Sequence, residues 1–342
     1  MKKSHTIRLA KLVAWTTLLS QGKDFQTARN EIKNFYNGTK GIFLPEHQIF
    51  FNFKENIADI LKKNTILNDY KSNYISWLGK SKHNSITGLE KFDCDFSAGV
   101  TQALENFILY YKDKVKNFCF YHGEYFLGPL ICNYNKLKWK WIEDHSELNE
   151  GDALVISFPF CDTGNAHNKT NSSLERCEES NIPVFLDCAY WNLAKGISID
   201  CNFHCIKVVS FSLSKAFPVP HMRIGIRFSE KDYFDSQKLH DKIAYNNRLS
   251  AYVGLQIFQT YHPDWFVDTF NNLYDKIINK FKLKSSQSIC FADGDEEWKE
   301  YNRKNLADVY GLKINVNQFK NRIYLGKLYE NKELTNKLLD TL

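Results

Sequence analysis

Four short apolar runs in the middle of the chain end in polar residues, with helical patterns between them. They are "VKNFCFYH" from Val115, "DALVISFPF" from Asp152, "IPVFLDCAYW" from Ile182 and "IKVVSFSLSK" from Ile206. Ahead of the first, "FDCDFSAGVTQALENFILYYK" reads as a turn at Gly99 that opens a helix. Ala103, Leu104, Phe107 and Ile108 recur there at helical spacing. "SSLERCEESN" is a second helical stretch. Runs without alternation suit strands buried on both faces. Strands that alternate with helices predict an α/β fold with a mostly parallel sheet flanked by helices. Such sheets hold ligands at the carboxyl ends of their strands, where Thr101, Asp187, Ser212 and Lys215 fall.

The flanks are of another kind. Residues 1 to 65 look mostly helical, with a break at "GTKGIFLPEH". Lys11 interrupts the apolar run of the N-terminus, which reads as an amphipathic helix rather than a signal peptide, and no run reaches the length of a membrane span. Beyond about 230, "LHDKIAYNNRLSAYVGLQIFQTY" reads as one long helix, and the last 60 or so residues are mixed. At 342 residues the chain suits one large domain, or one large and one small.

The 45 basic and 39 acidic residues are interspersed, with no basic stripe to favour nucleic acid. The net charge of +6 still suits an anionic ligand. The nine cysteines have no regular spacing. Cys201 and Cys205 flank His204, but no second pair completes a tetrahedral set, so no metal is expected. The thiols read as reduced core residues of a cytoplasmic protein.

Chemistry concentrates in "SFSLSKAFPVPHMR". A lone lysine after a strand is ordinarily a surface residue. Burial would lower the pKa of Lys215 and make its amine nucleophilic toward a carbonyl. Ser212, Ser214 and Arg223 form a hydroxyl-and-guanidinium set that suits a phosphate dianion. Asp187 ends an apolar strand. It could cap a loop, or it could face a ring nitrogen and hold it protonated, with Tyr190 three residues on. Gly99 allows a tight turn that aims the amides of Val100 and Thr101 at an anion, although small residues before a helix are also simple caps.

The order of these elements resembles the pyridoxal-phosphate enzymes of the aspartate aminotransferase superfamily, aminotransferase class I/II of fold type I. The matching residues are Gly99-Val100-Thr101, Tyr125, Pro159…Thr163-Gly164, Asp187…Tyr190, Ser212-Leu213-Ser214-Lys215 and Arg223. They span roughly residues 70 to 330, and the part from Asp187 to Arg223 is the most specific. The resemblance implies a large cofactor-binding α/β domain over 71–240. It also implies a smaller α+β domain built from an N-terminal helical segment, 1–70, and from a connecting helix and C-terminal segment, 241–342. It implies that Lys215 forms a Schiff base with pyridoxal 5'-phosphate and shuttles a proton, and that Asp187 pairs with the pyridinium nitrogen. Tyr190 would bond the phenolic oxygen. Gly99, Val100, Thr101, Ser212, Ser214 and Arg223 would hold the phosphate, and Tyr125 would stack on the ring. Tyr74 matches a tyrosine that reaches the phosphate of a neighbouring subunit, which implies a homodimer, although a core aromatic would read the same. Arg322, in "NRIYLG", matches an arginine that clamps a substrate carboxylate.

The chain also departs from the family pattern. Where the family loop reads N-P-x-N-P-T-G, this one reads "FPFCDTG", with Cys161 in place of the cofactor-touching asparagine and Asp162 in place of the second proline. The expected function is an aminotransferase that moves an amino group from an amino acid to a keto acid. A lyase, decarboxylase or racemase on the same fold, and a non-catalytic binding protein, are the alternatives.

Overall fold

The apolar runs are neighbouring strands of one sheet. In the computed structural model, residues 12, 56–217, 219, 221–294, 322–330 and 332–341 are described. Helices α1 (Ile57–Lys62) and α2 (Ile66–Leu78) lead to β1 (Ser85–Thr87). Then come β2 (Asp93–Ser97), α3 (Val100–Tyr111), β3 (Asn117–Tyr121), α4 (Leu127–Tyr134) and β4 (Trp139–Ile142). After these follow β5 (Asp152–Ser157), α5 (Thr170–Glu179), β6 (Val184–Cys188), β7 (Ser198–Asp200), β8 (Ile206–Ser212) and β9 (Gly225–Ser229). The seven-stranded sheet has the order β2-β9-β8-β6-β5-β3-β4. Its β4-β3-β5-β6-β8 part is parallel, and β9 runs antiparallel to both of its neighbours.

Alternate residues feed two apolar layers, as the two-residue period of a strand requires. Phe118, Phe120, Phe185 and Val208 pack against Val100, Leu104, Phe107 and Ile108 of α3. Cys119, Tyr121, Val184, Leu186, Val209 and Phe211 belong to the larger core on the other face. Because β9 alone is reversed, Ser97, Tyr121, Ser157, Asp187 and Ser212 all lie at one edge of the sheet. The strand order turns back at β3, with β4 on one side and β5 on the other, and ligands of open α/β sheets bind near such a point.

The chain continues as α6 (Ser236–Lys242), α7 (Arg248–Thr260) and α8 (Trp265–Phe281). A second, antiparallel sheet has the order β10 (Lys284–Ser285), β11 (Phe291–Asp293), β12 (Arg322–Tyr324), followed by α9 (Gly326–Tyr329) and α10 (Lys332–Thr341).

Two local expectations are corrected. The stretch before Gly99 is a strand and not only a turn. Asp93 and Asp95 disguise it, because Asp95 pairs with the fully buried Arg227 at 2.6 Å. The long helix expected over 239–261 is two helices. Ala244 adopts a left-handed φ of 56°, and Asn247 caps the second helix by accepting from the amide of Ser250 at 3.0 Å. Most of the N-terminal segment read as helical lies outside the described residues.

Candidate active site

The glycine turn at the sheet edge builds the floor of the site. Gly99 caps α3 at φ 82°. A Cβ there would lie 2.8 Å from a terminal nitrogen of Arg223 and 3.6 Å from the Ser212 hydroxyl. Arg223, itself at a left-handed φ of 52°, donates to the Thr101 hydroxyl at 3.4 Å. Residues 99, 101, 212 and 223, far apart in the chain, therefore converge on the N-terminus of α3. Ser212 and Ser214 are buried, and the Ser214 amide donates to the Ser212 hydroxyl at 3.1 Å. The Ser214 hydroxyl is buried with no hydrogen-bond partner among the described residues. A buried hydroxyl without a partner is costly, and an anion that it can donate to removes the cost.

Lys215 follows at the carboxyl end of β8, half-buried, with its ammonium 5.5 Å from the centre of the Tyr190 ring. Tyr190 packs edge-on against Phe291 at 5.1 Å. Asp187, on the neighbouring strand β6, is 7% exposed. Its Oδ1 accepts the Ala189 amide at 2.8 Å. Burial pushes its carboxyl up to about 6, against the pull of that amide and of the Lys215 charge. Lys215 also lies within electrostatic reach of Cys290, whose thiol burial pushes well above its usual range.

The Pro-Thr-Gly loop closes one wall. Cys161 is buried, and its amide donates to the Ser157 hydroxyl at 2.8 Å. Gly164, at φ 70°, lies where a Cβ would come within 2.9 Å of the Ser286 hydroxyl and 2.8 Å of the Phe291 ring. The Ser288 amide donates to the Gly164 carbonyl at 2.8 Å, and the Gln287 amide donates to Asn165 Oδ1 at 2.8 Å. The segment 286–291 thus seals the loop, a contact with no signal in the sequence. Tyr125, partly buried, lies at the turn after β3.

Tyr74 falls outside this gathering. It is wholly buried within its own chain, stacked edge-on with Tyr70, Trp77 and Phe258 at 5.7, 5.8 and 5.1 Å. Positions 70, 74 and 77 share one face of α2, so the side chain points into the core and not toward a second subunit. Arg322 opens β12 opposite Asp293. Its place in a strand of the second sheet is described, and its side chain is not. His204, flanked by Cys201 and Cys205, pairs with Glu178 at 2.8 Å. Among the described residues, no cluster of three metal-ligating side chains occurs.

The residue set fits pyridoxal phosphate. A glycine cradle, an unpartnered buried hydroxyl and a guanidinium answer the phosphate. A lysine and a buried carboxyl at the ends of adjacent strands answer the aldehyde and the ring nitrogen. Sequence reasoning missed Glu124, a buried carboxyl beside Tyr125. Its position in "HGEYF", next to the residue expected to stack on the ring, was the available signal.

No family model matches the chain, and no curated protein matches it. Solved structures do. A tyrosine aminotransferase from Leishmania infantum superposes with a TM-score of 0.59 at 14% identity, over 88% of this chain and 90% of that one. An aminotransferase from Staphylococcus aureus gives 0.61 at 13%, over 88% and 92%. A C-S lyase from Staphylococcus hominis, solved with pyridoxal phosphate bound, gives 0.54 at 16%, over 80% and 81%. The chain therefore has the α/β architecture of fold type I, the fold of pyridoxal-phosphate-dependent aminotransferases and C-S lyases.

Proposed function

We propose that the chain is a pyridoxal-phosphate-dependent enzyme that acts on an amino acid, as an aminotransferase. The observation that carries this reading is the convergence of Gly99, Thr101, Ser212 and Arg223 at one helix N-terminus beside Lys215 and Asp187. When bound, the cofactor supplies an aldehyde for an amine and a ring that accepts electrons from the substrate α-carbon. Arg223, Ser212, Ser214 and the amides of Val100 and Thr101 hold the phosphate. Asp187 supplies the anion for a protonated ring nitrogen. Tyr190 bonds the phenolic oxygen and packs beside Lys215, and Tyr125 covers the ring. Lys215 takes a proton at the α-carbon and returns it. Arg322 receives the substrate carboxylate. We further propose a homodimer. Eight of the nine cysteines are buried, as reduced core thiols are, which supports a reducing, cytoplasmic setting. Among the described residues, no helix is long and apolar enough to cross a membrane.

A visible spectrum of the purified protein with added pyridoxal phosphate tests the cofactor and the lysine together. The expected band bleaches irreversibly with borohydride, and Lys215→Ala lacks it. A wild-type protein that stays colourless overturns the reading and favours the binding protein. A lyase is the second reading, favoured by Cys161 at the site wall. Steady formation of glutamate from 2-oxoglutarate supports the aminotransferase, whereas keto-acid release with no acceptor supports the lyase.

A further inference from the structure

Lysines gather at the opposite end of the sheet from the site. An open cleft of about 530 Å³ lies there, at the amino ends of β3 and β4, whereas Asp187 and Ser212 lie at the carboxyl ends of their strands. The five residues of β3 set the two ends roughly 15 Å apart. Lys112, Lys116, Lys136 and Lys138 line the cleft, and Val115, Phe118 and Leu137 give it an apolar part. Among the described residues, no acidic side chain lines it. Its volume falls in the range of small-molecule sites, about 300–1,000 Å³.

Two of the four lysines have a local reason. Lys112 is the C-cap of α3, and Lys136 lies just past the end of α4, where cations suit the helix dipole. The two helix ends together amount to about one negative charge, against four ammonium groups. Lys136 also holds a left-handed φ of 57°, a place that glycine or asparagine fills at less cost. Lys116 and Lys138 precede β3 and β4 and answer no helix end. Backbone hydrogen bonds fix both, from the Lys116 amide to the Gly151 carbonyl and from the Phe118 amide to the Lys138 carbonyl at 3.0 Å. Neutralisation is slight. Lys112 reaches its neighbour Asp113 only at 3.9 Å, with both side chains exposed, and the Lys116 ammonium donates to the Glu150 carbonyl at 3.3 Å. Lys136 and Lys138 make no ion pair among the described residues. Lys140 gives the contrast, because it pairs with the buried Asp152 at 3.0 Å and does not line the cleft.

We propose that this cleft binds a small organic polyphosphate, with its phosphates on Lys116, Lys136 and Lys138 and its organic part against Val115, Phe118 and Leu137. Ammonium groups held together without carboxylates repel one another, and a multiply charged anion relieves the repulsion. Lysine meets phosphate as a point charge. An extended nucleic acid needs basic surface that continues beyond the cleft, and the charges of this chain are otherwise interspersed, with no basic stripe. The proposal goes beyond the pyridoxal-phosphate reading and does not rest on it. Calorimetric titration with ATP at about 0.15 M salt tests it. Binding at a single saturable site is expected, weakened by about tenfold or more when Lys136→Gln and Lys138→Gln are combined. Both residues are exposed, so the double variant should melt as the wild type does. If it does not, lysine acetylation of the wild type, read by mass spectrometry, decides. ATP should protect Lys136 and Lys138 and leave the exposed Lys62 reactive, and equal reactivity with and without ATP rejects the site. Arg223→Ala should leave this binding unchanged. Binding lost in Arg223→Ala but kept in the double lysine variant puts ATP in the cradle at Gly99 and overturns the proposal. Inorganic triphosphate should bind more weakly than ATP, because it has nothing to set against the apolar part, and equal affinity overturns the assignment to an organic ligand. No saturable binding at this salt, or an oligothymidylate that binds more tightly than ATP, overturns it as well.

Discussion

At the scale of single residues, the site is a set of side chains held in unfavourable settings that a ligand relieves. The buried Ser214 hydroxyl lacks a partner among the described residues, and Arg223 holds a left-handed backbone while it reaches across to Thr101. Charge-assisted hydrogen bonds to phosphate are the strong kind. Arg223→Ala is therefore expected to weaken pyridoxal phosphate binding by about tenfold or more, the equivalent of about 1.5–3 kcal/mol. Ser214→Ala should weaken it less, and a fluorescence titration of the cofactor-free protein measures both. Asp187→Asn removes the carboxyl proposed to face the ring nitrogen while keeping the shape. Turnover should fall by about 100-fold or more with cofactor still bound, read as kcat against cofactor occupancy. Asp187 and the serines were legible in the sequence because they end apolar runs, and Thr101 because it follows the glycine turn, whereas Arg223 stood out by its spacing from Lys215. Glu124 was signalled only by its place beside Tyr125, since its burial, 1% exposed, depends on the Ser157 amide that it accepts.

At the scale of elements, the antiparallel β9 is what brings Arg223 and Gly225 back to the edge where β2 and β8 end. A buried charge network pins it. Arg227, fully buried, donates to Asp95 at 2.6 Å and to Asp235, the N-cap of α6, at 2.5 Å. Removing the arginine leaves two carboxylates without their cation, so Arg227→Met is expected to cost about 3–5 kcal/mol. A urea midpoint measures it. The α2–α7 contact is as exacting. A Cβ on Gly254 would run into the Tyr70 ring, which Phe96 and Phe258 hold in place at 5.4 and 5.6 Å, and whose hydroxyl donates to the Gly225 carbonyl at 2.9 Å. Alanine gains about 1 kcal/mol of helix propensity, but overpacking costs about 1–3 kcal/mol. Gly254→Ala should lower the melting temperature despite the better helix former. The strands of the parallel core were readable from their unbroken apolar runs. β2 was not, because Asp95 is satisfied by Arg227, 132 positions away, and Asp93 pairs with Lys238.

At the scale of the whole molecule, the site is closed by a segment from the far end of the chain. Gly164 meets Ser286, Ser288 and Phe291, so the Cys161 loop and the second sheet settle together. Gly164→Val should therefore reduce both cofactor retention and thermal stability, with gel filtration in the presence of cofactor and a melt as the two measurements. Sedimentation at several concentrations tests the homodimer, and a single monomer species would reject it. The sequence by itself determined the layered α/β plan, since the period and length of its apolar runs admit few alternatives. It also pointed to the lysine, aspartate, serines and arginine that the fold brings to one edge of the sheet, because turn and strand-end patterns are written locally. Only the tertiary structure decided that Tyr74 faces the core, that one long helical pattern breaks at Ala244, and that Glu124 lies buried against the end of β5. Those outcomes depend on what packs against each residue from distant parts of the chain, and desolvation and partnering are properties of that surrounding space rather than of neighbours in sequence.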